Sequence, residues 1–161
     1  MTQTSPSTTY RPAGYTSLTP FLCVDGAARA IDFYTDVFGA RLVSRTDGQD
    51  GTVAHAELEL EQGRLQLGDP AEAYGIAAPT PGAAATHSIA IYVPDCDATT
   101  TAAEKAGGTV REAPSTFVTG DRFASVLDPF GIRWSIMTRV EDVSDEEAER
   151  RVKEWMSQQG D

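Results

Sequence analysis

The sequence predicts an α+β fold: two βαβββ modules forming a curled mixed β-sheet groove, with helices outside and a further C-terminal helix. Three observations predict it. Arg122 to Met137 reads as two apolar strand runs joined by a tight turn at Asp128-Pro129-Phe130-Gly131. An offset of 69 residues lays this hairpin over Val53 to Gly68, so that Arg64-Leu65-Gln66-Leu67 falls under Arg133-Trp134-Ser135-Ile136. The same offset pairs Val24 with Val93 and Gly39 with Gly108, so the whole unit is duplicated. Two copies are too few for a solenoid and suit one repeated supersecondary unit.

Taken in order, residues 1–16 are expected to be a disordered leader, rich in Thr, Ser and Pro. Residues 17–69 form the first module. Ser17 to Val24 is an apolar strand whose Pro20 suits an edge or a strand start. Asp25 can cap the next segment, in which Ala27, Ala30, Ile31, Tyr34 and Phe38 recur at helical spacing before Gly39 stops it. Arg41 to Thr46 is a short strand. In Thr52 to Leu60 the side chains alternate, Ala54, Ala56, Leu58 and Leu60 against Val53, His55, Glu57 and Glu59, and Arg64 to Gly68 continues the pattern.

Residues 70–86, rich in Ala, Pro and Gly, connect the modules. The second module, 87–140, opens with a strand from His87 to Val93; Asp95 then caps a helix that runs to Ala106 and ends at Gly107-Gly108. In the tail, 141–161, Ser144-Asp145-Glu146-Glu147 is a capping box before a helix with Ala148, Val152, Trp155 and Met156 on one side.

Composition narrows the function. A length of 161 residues with 40% hydrophobic residues suits one domain or two small packed ones. A net charge of −11 argues against nucleic acid or an anionic membrane as partner, and no run is apolar enough to span a bilayer. Two cysteines, Cys23 and Cys96, and no visible secretory signal fit a reduced, cytoplasmic protein.

Thr-Pro-Phe-Leu at 19–22, Ala-Ile-Asp-Phe-Tyr-x-x-Val-Phe-Gly-Ala at 30–40, His-Ala-Glu-Leu at 55–58, Gly-Asp-Arg at 120–122 and Asp-Pro-Phe-Gly-x-Arg-Trp-Ser at 128–135 resemble the vicinal oxygen chelate superfamily. That superfamily includes glyoxalase I, extradiol dioxygenases, fosfomycin-resistance enzymes and bleomycin-binding proteins, and these motifs look like its PhnB-like branch. The resemblance implies a ligand groove on the inner face of the sheet and up to four metal-ligand positions, which fall on Thr19, Gln66, Ser88 and Ser135. None is His, Asp or Glu, and neutral hydroxyl and amide groups hold transition metals poorly. No metal and no cofactor is therefore expected. A nonstandard cluster of His87 with His55 and Glu57 is the alternative, reached by a one-residue register shift that turns His87 inward.

Carried onto this chain, the groove is expected to hold Phe21, His55, Glu57, Arg64, Gln66, Tyr92, Arg133 and Ser135 as ligand-binding residues, with Ser125 and Met137 beside them. Guanidinium, carboxylate and hydroxyl groups among aromatic rings suit a polar small molecule; equally, a sheet with one wet face is polar by default. His55 and Glu57, two apart on a strand, project to one side and are the candidates for proton transfer. In the second copy their places fall on Ala124 and Val126, which makes the first half-site the richer one. The expectation is a metal-free small-molecule-binding homodimer; a metal-dependent or histidine-based lyase, isomerase or dioxygenase is the alternative.

Overall fold

A computed structural model describes residues 9–158; the leader residues 1–8 and the last three, 159–161, lie outside the described residues. The first module consists of strand β1 (Phe21–Cys23), helix α1 (Ala27–Phe38) and strands β2 (Arg41–Asp47), β3 (Val53–Glu59) and β4 (Arg64–Gly68). The second repeats it with β5 (Ser88–Tyr92), α2 (Cys96–Lys105), β6 (Thr109–Thr116), β7 (Asp121–Leu127) and β8 (Arg133–Arg139), and α3 (Asp145–Gln158) follows. Each module has its own four-stranded sheet, ordered β1-β4-β3-β2 and β5-β8-β7-β6, with the first pair parallel and the rest antiparallel. These two sheets are not hydrogen-bonded to each other, so the groove surface is divided rather than continuous.

Strand β1 is shorter than its apolar run. Proline cannot donate to a ladder, so regular pairing starts after Pro20, whose carbonyl still accepts from Gln66 N at 3.0 Å. Helix α1 is not capped by Asp25: its N-cap is Gly26, in the left-handed region, with no side-chain cap of its own. The cap comes from the end of β4. Asp69 Oδ1 accepts from Gly26 N (2.9 Å) and Ala27 N (3.0 Å), while Oδ2 accepts from Val53 N (2.7 Å). One carboxylate thus serves the helix's orphan amides and its positive end. In α2, Asp95 does cap as its position predicts, accepting from Ala98 N at 2.9 Å.

Helix α1 buries a broader stripe than its own sheet requires, because Phe33 and Val37 join Ala27, Ala30, Ile31 and Tyr34. Part of the helix faces the other module: Phe33 meets Phe130 edge-on at 6.1 Å, and the rings of Tyr34 and Phe38 lie 5.3 and 4.6 Å from that of Trp134. The two modules therefore share one aromatic core.

The duplicated pattern carries a slip. Glu59 faces Arg64 across a four-residue turn, whereas Leu127 faces Arg133 across five residues, Asp128 to Ile132. Strands β1 and β4 correspond to β5 and β8 at 69 residues, but β3 and the start of β2 correspond to β7 and the start of β6 at 68, since Glu57 pairs with Gln66 and Ser125 with Ser135, and Leu42 with Leu58 and Val110 with Val126. Both modules also carry an extra residue at one place on the outer antiparallel strand, Val43 in β2 and Arg111 in β6. A second irregularity on β3, at Ala54, ends the expected alternation. Val53 turns to the core, fully buried, and Ala54 is exposed.

Candidate functional site

The outward face of the first sheet gathers Phe21, His55, Glu57, Arg64 and Gln66, in the register that places Phe21 beside Gln66 and Gln66 beside Glu57. Glu57 is the hub. Its carboxylate accepts from Gln66 Nε2 (3.3 Å) and Arg64 Nη1 (3.4 Å), and His55 Nε2 lies 3.6 Å away. Arg64 also donates to Glu59 through Nη2 at 3.2 Å, and its side chain is only 12% exposed. The nearby Tyr15 hydroxyl, then His55 and Gln66, outweigh burial and hold the Glu57 carboxyl below its ordinary range. Phe21 and His55 stack at 5.9 Å and stay open, 39% and 40% exposed.

Sequence reasoning missed Tyr15. It follows a glycine in a Pro-punctuated segment with no period, yet the Arg64 guanidinium carbon lies 5.2 Å from the centre of its ring. The approach depends on Gly14, at φ +83°, where an added Cβ would meet Arg64 Nη2 at 3.0 Å.

The second sheet offers a sparser face. Ser88 and Ser135 hydrogen-bond each other at 2.9 Å. Arg133 donates to Ser125 Oγ and to Glu112 Oε1, both at 2.9 Å. Tyr92 reaches Asp121 at 3.4 Å and is otherwise open to solvent. Because of the 68-residue correspondence, Glu57 is answered by Ser125 and His55 by Phe123, not by Val126 and Ala124; those two lie on the buried face. The first half-site is the more polar one, in a register different from that expected.

Among the described residues, no hydrogen bond, ion pair or ring contact links the first sheet's candidates (Phe21, His55, Glu57, Arg64, Gln66) to the second sheet's (Ser88, Tyr92, Arg133, Ser135). A small cavity of about 160 Å³ lies at the seam, bordered by Arg64 and Leu65 on one side and Ala90 and Trp134 on the other. A larger cavity, about 730 Å³, lies elsewhere, beneath the connector between Pro79, Arg29 and Phe130, and of the expected ligand-binding residues only Phe21 borders it. His87 borders it too, beside Thr86 and ahead of β5, and does not join His55 and Glu57. Among the described residues no three His, Cys, Asp or Glu side chains converge as metal donors.

Two βαβββ modules with paired mixed sheets and a polar outward face define the class. The chain belongs to the glyoxalase/bleomycin resistance protein/dioxygenase superfamily, whose family model matches residues 15–136. It is 37% identical over 148 residues to an uncharacterized protein of Mycobacterium bovis, covering 90% of this chain and 95% of that one. An uncharacterized protein of Mycobacterium tuberculosis matches at the same identity, with 90% and 85% covered. Among solved structures, TioX from Micromonospora sp. ML1 aligns with a TM-score of 0.61 at 23% identity, over 77% of this chain and 98% of that one. A glyoxalase I mutant from Zea mays aligns at 0.60 and 24%, over 76% of this chain and 46% of that one. These two likenesses establish the fold alone.

Proposed function

We propose that this chain is a metal-independent small-molecule-binding member of the superfamily, acting by holding a ligand on the polar sheet faces rather than by making bonds. The observation that carries the reading is the chemistry at the four family ligand positions. Thr19, Gln66, Ser88 and Ser135 supply hydroxyl and amide groups, which do not fit a divalent transition metal, and Ser88 and Ser135 satisfy each other. Gln66 is likewise engaged with Glu57. The Phe21 and His55 rings leave an open apolar platform beside charged groups, the combination that orients polar organic ligands. A place in the PhnB-like branch, assembly as a homodimer and a cytoplasmic site belong to the same proposal.

A thermal-shift screen of the purified chain tests it, with metabolites and natural-product antibiotics in one arm and zinc, nickel, manganese and iron(II) in the other. At least one organic ligand raises Tm and EDTA leaves Tm unchanged. Stoichiometric metal after purification without added metal overturns the reading. The 3.6 Å approach of His55 to Glu57 favours one second reading, a metal-free proton transfer with His55 as base. Exchange of solvent deuterium into a bound ligand, lost in His55→Gln, would establish it.

A further inference from the structure

We infer that the cavity beneath the connector is a second binding site, and that it takes an organic monocarboxylate with a flat aromatic body. This site is separate from the sheet faces and goes beyond the binding role proposed for them.

Composition sets the roof. From Ala77 to Ala85 the connector holds only Ala, Pro and Gly apart from Thr80, side chains too short to close the space below them. Yet this roof is pinned. Its approach is folded back by the bridge between Ala71 and Ile76. Pro79 then seats so closely on the Asp-Pro-Phe-Gly turn that a Cβ at Gly131 would meet Pro79 Cβ at 2.8 Å. The cavity of about 730 Å³ that results has the size of a small-molecule pocket rather than of a packing gap. Its border is apolar where it is deepest in the protein, with Leu22 and Ile132 each 2% exposed, and the Phe21 and Phe130 rings lie nearer the surface. Ring faces of that kind suit a flat aromatic guest.

Arg29 supplies the charge. It is exposed, borders the cavity, and holds its guanidinium carbon 5.8 Å from the centre of the Phe130 ring. Arg64 on β4, Arg122 on β7 and Arg133 on β8 each hold a carboxylate, whereas the Arg29 side chain forms no ion pair or hydrogen bond among the described residues. In a chain with 24 acidic residues against 13 Lys and Arg, such a guanidinium is one left free for a ligand's carboxylate. Asp25, exposed on the same border, repels further negative charge, so a monoanion fits better than a di-acid or a phosphate. The apolar interior and the exposed cation fix the orientation: ring inward, carboxylate out to Arg29.

The test is NMR titration of the full chain with 2-naphthoate, its neutral counterpart 2-naphthamide and the saturated decahydro-2-naphthoate. The expected result is 2-naphthoate binding about fivefold tighter than either counterpart, the effect of one partly solvated ion pair or of one ring stack. Its aromatic protons give NOEs to the methyl groups of Ile132 and Ala84, both on the cavity border. Arg29→Gln, a change at an exposed position that leaves the core intact, lowers the acid to the amide's affinity. Four results overturn the inference: no saturable binding, 2-naphthoate no tighter than either counterpart, an acid preference that survives Arg29→Gln, or NOEs to Ala90 and Tyr92 on the second sheet in place of the connector. The sheet-face reading is decided by its own ligand and metal screen, so the two fail independently.

Discussion

Tyr34 Oη donates to Asp128 Oδ2 at 2.7 Å, and this buried bond joins the helix of the first module to the hairpin turn of the second. Asp128 also accepts from Trp134 Nε1, Phe130 N and Ile132 N, each at 2.9 Å. Its two oxygens serve four donors, so the Asp-Pro-Phe-Gly turn is a bracket between modules as well as a reversal of the chain. Tyr34→Phe should lower stability by about 1–2 kcal/mol, the cost of one donor lost from a buried acceptor. Asp128→Asn should cost more, because its amide would face the indole N–H, which cannot turn round to accept. Urea denaturation monitored by tryptophan fluorescence measures both.

Asp69 and Asp128 should respond to acid in opposite directions. Burial pushes the Asp69 carboxyl up, but the amides of Ala27, Val53 and Gly26 together hold it below its ordinary value. Its stabilisation is therefore present above the unfolded pKa of about 3.9 and is lost as pH falls through the lower folded value. For Asp128 burial outweighs its four donors and the carboxyl is raised. Its contribution is complete below about 3.9 and is lost as pH rises through the elevated folded value. The stability gap between wild type and Asp69→Asn should narrow on acidification, whereas that between wild type and Asp128→Asn should widen. Urea melts at a series of pH values between roughly 6 and 3 bracket the unfolded value and measure both gaps.

Gly120 and Gly75 both have positive φ, at +90° and +66°, but differ in surroundings. A Cβ on Gly75 meets nothing, so Gly75→Ala should cost about 1 kcal/mol of backbone strain. A Cβ on Gly120 collides with the Glu141 carbonyl, while the Gly120 carbonyl itself accepts from Val140 N and Glu141 N. Gly120→Ala should cost roughly 3 kcal/mol and loosen the start of the tail. Paired thermal melts separate the two.

Helix α3 is held at its edges. Ser144 caps it at Glu147 N (3.3 Å), Trp155 meets Phe117 edge-on at 5.3 Å, and Arg151 bonds the Glu141 carboxylate and the Val118 carbonyl. No residue of α3 is fully buried. Trp155→Ala should speed hydrogen exchange across α3 by at least tenfold, while shifting the global Tm by less than about 3 °C. Mass-spectrometric exchange on the two chains decides it, and a large fall in Tm would show that α3 is part of the cooperative core.

Periodicity revealed both modules, because Ile31 and Tyr34 on a helix and Leu65 and Leu67 on a strand obey local spacing. What it could not reveal was long-range partnership. Asp25 stands where a cap belongs, but the cap is Asp69, brought back to the helix by the sheet. The same limit hid Tyr15, whose partner lies far along the chain on β4. Register failed for another reason. One extra turn residue leaves every apolar and polar type plausible on either side, so only pairing reveals that Ser125, and not Val126, stands where Glu57 does. Of the candidate site, Glu57, Gln66, Arg64, His55 and Phe21 are gathered on one face, while Tyr92, Arg133 and Ser135 stand on the other sheet.

The fifth residue between Leu127 and Arg133 has a practical meaning for anyone re-engineering the chain. Transplanting the polar side chains of β3 onto β7, to build a twofold-symmetric receptor, cannot proceed by the numbering shift that relates β4 to β8. The grafted histidine or glutamate would be sewn into the hydrocarbon interior in β7. A designer must first delete a loop residue, or count the two strands of that hairpin separately.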